Sequence, residues 1–373
     1  MAPPPPLVDD VVGEILLRVP PDEPSHLVRA AAVCKPWRRI LTDPAFLRRY
    51  RAFHRTPPLL GVLHNFCTKS AGCFIRFVPT TAASPCSPLA LDRGSCWALD
   101  CRHGRVLIHS YSPSGLVVWD PITGAVLCAT DGCDHLDCRG GPFLVVFMGT
   151  DLELEEDATW ASVYSSETGD WSASTTIHLD SSSDFGPSLL AGDALYFNLR
   201  DGHGVLKYDL VGHGLSVIEG PKVAGAIVMT AEDGRLGFAS VEDYSLYLWS
   251  WKTGAEGIAG WVQCRVIELN TVVPFPDMAV SLDLVSFAEG MNSIFISTSM
   301  GIFAVELKSG QVRKVLDRGR HKDIIPYMTF YTPGVMPDLH LHEDARLESI
   351  DICLVLLQSV RADSLGALFF IIQ

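Results

Sequence analysis

Along the first fifty-odd residues the apolar positions recur at helical spacing, whereas beyond residue 57 they alternate in short runs at strand spacing. In the head, Val11, Val12, Ile15, Leu16 and Val19 give the apolar positions of a first helix that Asp9 and Asp10 can cap. That helix runs to about Arg18 and is stopped by Pro20-Pro21. A second helix, over about residues 24–33, carries Leu27, Val28, Ala31 and Ala32. A third follows Lys35-Pro36, with Pro36 suited to a first helical position. Thr42-Asp43-Pro44 repeats the start signal ahead of a last helix holding Phe46, Leu47, Tyr50 and Phe53. Residues 3–6 are all proline and read as an extended lead-in.

Such a head buries little area and is marginal alone. Even so, Ile15, Leu16, Val19, Val33, Cys34 and Trp37 exceed what one internal stripe needs. A surplus apolar face on a short helical unit either meets a partner or packs on the chain's own second domain. Periodicity alone leaves both open.

The strand-rich body repeats. An apolar strand, an anchor residue, a turn and a glycine recur around Trp119, Tyr164, Tyr208, Trp249 and Val305, which lie 45, 44, 41 and 56 residues apart. A glycine follows five residues after the anchor in four copies and six after Tyr208, where a hairpin needs positive φ. Further strands precede several anchors, at residues 104–108, 193–197, 234–238 and 293–297. Several strands in about 45 residues is the period of a β-propeller blade. Five blades are legible, and residues 59–99 can supply a sixth, completed by strands from later in the chain. Six blades are expected, with seven as the alternative. The fold class is therefore mainly β with a small all-α head. The expected boundaries are 7–56 for the head, 57–334 for the propeller and 335–373 for an apolar tail.

Composition sharpens this picture. The 373 residues are 48% hydrophobic and 19% charged, as in a globular chain. The net charge is −14, but residues 1–56 carry nine Lys/Arg against six Asp/Glu, +3, which leaves −17 on the rest. An acidic body disfavours nucleic-acid binding. Residues 1–6 have neither a basic start nor an apolar run, and no Asn-X-Ser/Thr occurs. Eleven scattered cysteines without a signal favour reduced thiols over a disulfide framework. The expected location is cytoplasmic, nuclear or both. The apolar runs at 350–360 and 365–372 are too short to span a bilayer, so no membrane partner is expected.

Four segments then carry a resemblance: Leu7-Val8-Asp9-Asp10-Val11; Glu14-Ile15-Leu16-Leu17-Arg18-Val19-Pro20; Val33-Cys34-Lys35-Pro36-Trp37-Arg38; and Asp43-Pro44-Ala45-Phe46. In order and spacing they resemble the F-box, and the whole chain resembles plant F-box proteins with a kelch-like or related propeller. The resemblance implies docking onto the Skp adaptor, and through it onto cullin and RING proteins of a ubiquitin ligase. It implies adaptor contacts at Leu7, Val8, Ile15, Leu16, Val19, Pro20, Val33, Cys34 and Trp37. The family's usual proline after the first leucine is replaced by Val8, which removes a rigid entry to the first helix. The function so implied is that of a non-catalytic substrate receptor, its propeller holding an unknown protein for ubiquitination. The alternatives are a propeller enzyme with a packed helical head, or a Skp-bound scaffold that does not ubiquitinate.

Little in the sequence speaks for chemistry. Phosphate-loop, zinc-protease and nucleophile-elbow motifs are missing, so no catalytic residue and no cofactor is expected. Gly202-His203-Gly204 lacks the rest of a dinucleotide fingerprint. Cys133, His135 and Cys138, with Cys128 nearby, have ligand types that suit zinc but lack a second cysteine pair at standard spacing, and an inter-blade loop is preferred. The acidic run at 151–157 reads as a solvated loop. Arg48, Arg49, Arg51 and Arg55 read as a solvated helix face, and Cys34 as a packed or interfacial thiol.

Overall fold

The structure, a computed structural model, describes residues 8–68, 72–80, 95–111, 114–121, 143–151, 158–179, 188–199, 204–221, 223, 225–254, 257, 259–271, 282–317, 324–330 and 368–372. Its head has four helices: α1 (Asp9–Leu17), α2 (Ser25–Val33), α3 (Lys35–Thr42) and α4 (Pro44–His54). Asp9 and Asp10 do not cap α1. Val8 holds the N-cap position without a side-chain bond, and the two carboxylates lie in the first turn, where they favour the helix dipole. α3 begins at Lys35, so Pro36 sits one residue further into the first turn than its sequence suggests. Asp43 is a true cap for α4, accepting a hydrogen bond from Ala45 N–H at 2.9 Å.

The helices close around Val12, Leu16, Leu17, Leu27, Leu41, Phe46, Leu47 and Tyr50. The Tyr50 hydroxyl donates to the Val19 carbonyl at 2.7 Å, and His54 Nε2 donates to the Leu17 carbonyl at 2.9 Å. Both bonds tie α4 to the end of α1 and satisfy carbonyls that the helix leaves free. Burial pushes the Tyr50 hydroxyl pKa far up, so that proton stays in place.

The rest of the described chain is mostly strand, in six antiparallel sheets, with one 3-10 turn at Leu269–Thr271. β1 (Leu59–Thr68) and β2 (Gly72–Pro79) begin the first blade. The second has β3 (Cys96–Arg102), β4 (Arg105–Tyr111) and β5 (Ser114–Trp119). The third has β6 (Leu144–Asp151), β7 (Ala158–Ser165) and β8 (Thr175–His178). The fourth runs β9 (Leu189–Ala191), β10 (Ala194–Asn198), β11 (Gly204–Asp209) and β12 (Leu215–Glu219). The fifth runs β13 (Ile227–Thr230), β14 (Leu236–Glu242), β15 (Ser245–Thr253) and β16 (Ala259–Glu268). The sixth runs β17 (Asp283–Ala288), β18 (Ser293–Thr298), β19 (Gly301–Glu306) and β20 (Val312–Asp317).

Two late strands complete earlier blades. β21 (Ile324–Met328) pairs with β1 and so closes the ring by joining late and early segments in one sheet. β22 (Leu368–Ile372), from the apolar tail, pairs with β6 in the third blade, with Leu368 opposite Met148 and Ile372 opposite Leu144. In the fourth, fifth and sixth blades the four strands are consecutive, so the third blade departs from the rule by taking its innermost strand from the tail.

Shared apolar clusters bind each blade to the next. Phe77 and Leu63 pack with Val106 and Trp119, Val146 and Val163 with Phe197 and Tyr208, and Leu246 and Leu248 with Ile294 and Phe303. Leu59 and Val62 meet Phe295 and Ile302 where the ring closes. Among the described residues six blades, the expected number, form one closed ring, and such radial packing leaves only short, protected sheet edges.

All five anchor residues fall on the third strand of their blades; Trp119, Tyr164, Tyr208 and Val305 stand at or one residue before its end, whereas β15 runs on four residues past Trp249. In the turns that follow, Gly169 and Gly310 take positive φ, at 72° and 70°. After Tyr208 the left-handed position belongs to His213 instead, at φ 51°. That substitution explains why the glycine of this copy comes one residue late. The His213 ring shares a 2.9 Å hydrogen bond with the Tyr208 hydroxyl, whose pKa burial pushes up to about 12.

Candidate partner-binding surfaces

The head offers the first surface. On α1, Val12 and Leu16 point into the core while Val11 and Ile15 point out, 43% and 52% exposed, with Val8 65% exposed one turn before. At the joint between α2 and α3 the backbone of Cys34 is extended, and Val33 is 64% exposed beside the exposed Cys34 thiol. Pro20 is exposed, while Val19 and Trp37 are half-buried against the head's core. Leu16, expected to contact the adaptor, is instead buried at 3% exposure and holds the helices together. Its position one residue after Ile15 turns it to the opposite side of the stripe. Leu7 lies outside the described residues. Val11 and Val28, absent from the expected contacts, join the exposed apolar set. The 3–4 spacing of Val8, Val11 and Ile15 was the signal that could have found Val11.

The alternative that this surplus packs on the propeller meets a different geometry. Phe330, just after β21, packs edge-on against Tyr50 with ring centroids 6.1 Å apart and lies against the head's core cluster. Thr56 approaches Gly290 in the turn after β17. These contacts use the end of α4 and leave Val8, Val11, Ile15 and Val33 in water. Arg49 and Arg18 both bind Glu14, and the Arg49 bond in particular holds that carboxylate's pKa below its ordinary value. Arg48, Arg49 and Arg55 are exposed, as expected of a solvated face, while Arg51 is half-buried.

The propeller axis is occupied by a charge cluster. Arg102, at the end of β3, donates to Asp100 at 3.0 Å, to Glu289 at 2.9 Å, and to the Ser188 hydroxyl and carbonyl at 2.8 and 3.1 Å. Glu289 also accepts from Leu190 N–H at 3.2 Å. Arg102 belongs to the second blade, Ser188 and Leu190 to the fourth and Glu289 to the sixth, so the guanidinium bridges alternate blades across the channel. Burial alone would depress its pKa, but the Asp100 and Glu289 carboxylates more than reverse this and fix its charge. With its donors engaged on three blades, the group acts as a plug. Two asparagines play a similar role at the blade joints. Asn65 on β1 exchanges two bonds with the Ala98 backbone, and Asn198 on β10 donates to the Ala226 carbonyl.

The fifth blade holds a cavity of about 160 Å³ with Met229 and Leu248 among its apolar walls. Its charged rim is internally matched. Asp233 accepts from Ser250 at 3.0 Å and lies 3.6 Å from Lys252, and Arg265 pairs with Glu232 at 2.7 Å. Burial opposes ionisation of Asp233, but bonds from Arg235 N–H and Ser250 and the Lys252 charge leave its pKa lowered. No nucleophile–base pair is assembled by these wall and rim residues.

Of the sequence's other candidates, Cys128, Cys133, His135 and Cys138 lie outside the described residues, as do residues 152–157 and the Gly202-His203 pair. Among the described residues no cluster of three or more His, Cys, Asp or Glu side chains is placed to hold a metal ion. Among them too, no helix is long and apolar enough to cross a membrane. The expectation of reduced thiols meets one correction. Cys67 and Cys73 form a disulfide, because the β1–β2 register sets them directly opposite each other.

A helical head with a bare apolar face, set before a six-bladed ring, defines an F-box protein with a β-propeller. Residues 6–49 match the F-box domain model, and residues 97–334 match the model described as "F-box protein AT5G49610-like, beta-propeller". The chain belongs to that family. None of the curated proteins matches it. Among solved structures it is similar to a protein of unknown function from Bacteroides caccae, at 11% identity over 73% of this chain and 99% of that one, TM-score 0.41. TolB from Acinetobacter baumannii is 12% identical over 75% of this chain and 69% of that chain, TM-score 0.37. The Cps50 (Swd1) β-propeller domain from Myceliophteria thermophila is 11% identical over 72% and 83%, TM-score 0.35.

Proposed function

We propose that this protein is the substrate-recognition subunit of a Skp–cullin–F-box ubiquitin ligase, acting in the cytoplasm, the nucleus or both. Its family membership supports an adaptor role of this type. The observation that carries the finer reading is the apolar set Val8, Val11, Ile15 and Val33, left bare although the head already has a closed core. Burying one such side chain against a partner is worth about 1.5–3 kcal/mol. The four together, with Pro20, Cys34 and Trp37 alongside, offer a helix-face interface.

The mechanism is positioning. The Skp adaptor takes the head, and the propeller holds a target protein near the ubiquitin-charged enzyme, so transfer gains from effective concentration. In this mechanism the chain itself needs no nucleophile. Reconstitution tests this reading. Skp adaptor, cullin and RING proteins are assembled with the full chain and a target found by proximity labelling, and ubiquitin transfer is followed. Transfer that depends on the chain supports a receptor. A stable complex that never transfers ubiquitin to any bound protein identifies a scaffold and overturns the receptor reading.

A further inference from the structure

The Cys67–Cys73 disulfide does not read as a structural staple. Its two residues are six apart and already face each other in a hairpin whose register runs from Gly61–Pro79 to Thr68–Gly72. The hairpin is also held by the Phe66–Phe74 ring pair, with centroids 5.6 Å apart. A cross-link that closes so short a loop constrains the unfolded chain less than one that closes a long loop. Cys67 is exposed and Cys73 half-buried, so the sulfurs are open to a soluble thiol.

Position matters as much as exposure. β1 leaves the head side at Leu59 and reaches Cys67 eight residues later, about 26 Å away at strand rise. The pair therefore sits at the end of the first blade remote from the head. On the β2 side Cys73 N–H donates to Ser95 Oγ at 3.0 Å, which anchors it to the start of the second blade. Cys67 has no such tie among the hydrogen bonds described. The other four described cysteines are in no disulfide: Cys96 is buried, with its thiol pKa pushed up by that burial, Cys101 is half-buried, and Cys34 and Cys264 are exposed.

We propose that Cys67 and Cys73 are a reversible dithiol–disulfide site on the propeller face remote from the head, exchanging with low-molecular-weight thiols of the glutathione class. In the opening direction a thiolate attacks the exposed Cys67 sulfur, the Cys67–Cys73 bond breaks, and the electron pair leaves on Cys73 sulfur, which takes a proton. A second thiolate then attacks the mixed disulfide at the small-molecule sulfur and releases Cys67 as a thiol. Two thiols become one small-molecule disulfide, and the protein gains two electrons and two protons. Closure is the reverse reaction with the small-molecule disulfide as oxidant. Cys73, fixed by Ser95, is the resolving sulfur that keeps Cys67 from stopping at the mixed disulfide. The site stands independently of the adaptor reading.

The test equilibrates the full chain in buffers of graded reduced and oxidised glutathione. Free thiols are then trapped with a maleimide and each cysteine-bearing peptide is read by mass spectrometry. Cys67 and Cys73 are expected to lose and regain label together as one two-electron transition, while Cys34 and Cys264 do not follow it. Cys73→Ser is expected to leave Cys67 carrying glutathione as a stable mixed disulfide. Label that persists on both residues in excess oxidised glutathione would overturn the proposal. So would a pair that resists excess glutathione while folded, or two cysteines that titrate separately.

Discussion

At the scale of single residues, two side chains of one helix turn divide the head's work. Ile15 faces water and Leu16 fills the core, and no composition argument separates them, because both are branched aliphatic groups in one apolar run. Only their angle on the helix does, and that depends on which side α3 and α4 cover. Arg102 shows the opposite case, a residue whose role had no local signal at all. Its partner Ser188 lies 86 residues away and Glu289 lies 187 away. Arg102→Met should leave Asp100 and Glu289 without their shared cation. The expected loss is about 3 kcal/mol, the low end for breaking a buried pair, since Glu289 keeps 36% of its side chain in water. Urea unfolding of the full chain measures this, and Glu289→Gln in the Arg102→Met background should recover part of the loss. A loss within error of zero would mean that the plug contributes no more than a surface pair.

At the scale of elements, the helices were legible almost to the residue because proline and aspartate mark their starts. Thr42-Asp43-Pro44 gave α4, and the cap bond from Ala45 N–H to Asp43 is its physical content. Asp43→Ala should cost about 1 kcal/mol, and Asp43→Asn only a fraction of that. Thermal unfolding followed by circular dichroism checks it, and equal losses for the two variants would deny the cap its role. The strands were legible as a rhythm of anchors, since four of the five third strands end within a residue of an anchor before a turn. What the rhythm could not yield was the hairpin at Cys67 and Cys73. A disulfide there needs the β1–β2 register, and cysteine counting alone argued the other way.

At the scale of the whole molecule, six blades followed from the anchor period, and closure by late strands followed from the shortfall in the first blade. The use of the tail in the third blade did not follow. β22 supplies an inner strand that the other complete blades draw from the segment just before their second strand, and nothing in its apolar run names β6 as its partner. Removing residues 361–373 should bare the inner edge of β6. Amide exchange at residues 144–148 should then quicken while that of β14 and β15 stays unchanged. Unaltered protection at 144–148 would mean that β22 adds nothing to the third blade.

The whole account turns on the bare face of the head. Its most direct test is the affinity of the full chain for the Skp adaptor, measured calorimetrically for the wild type and for Ile15→Asp and Val33→Asp. Both changes fall on exposed positions, so the fold is kept, whereas Leu16→Asp would strike the core. Saturable binding by the wild type, weakened about tenfold or more by each variant, a change of about 1.4 kcal/mol or more, is the predicted result. A wild type that does not bind, or variants that bind as tightly as the wild type, would contradict it.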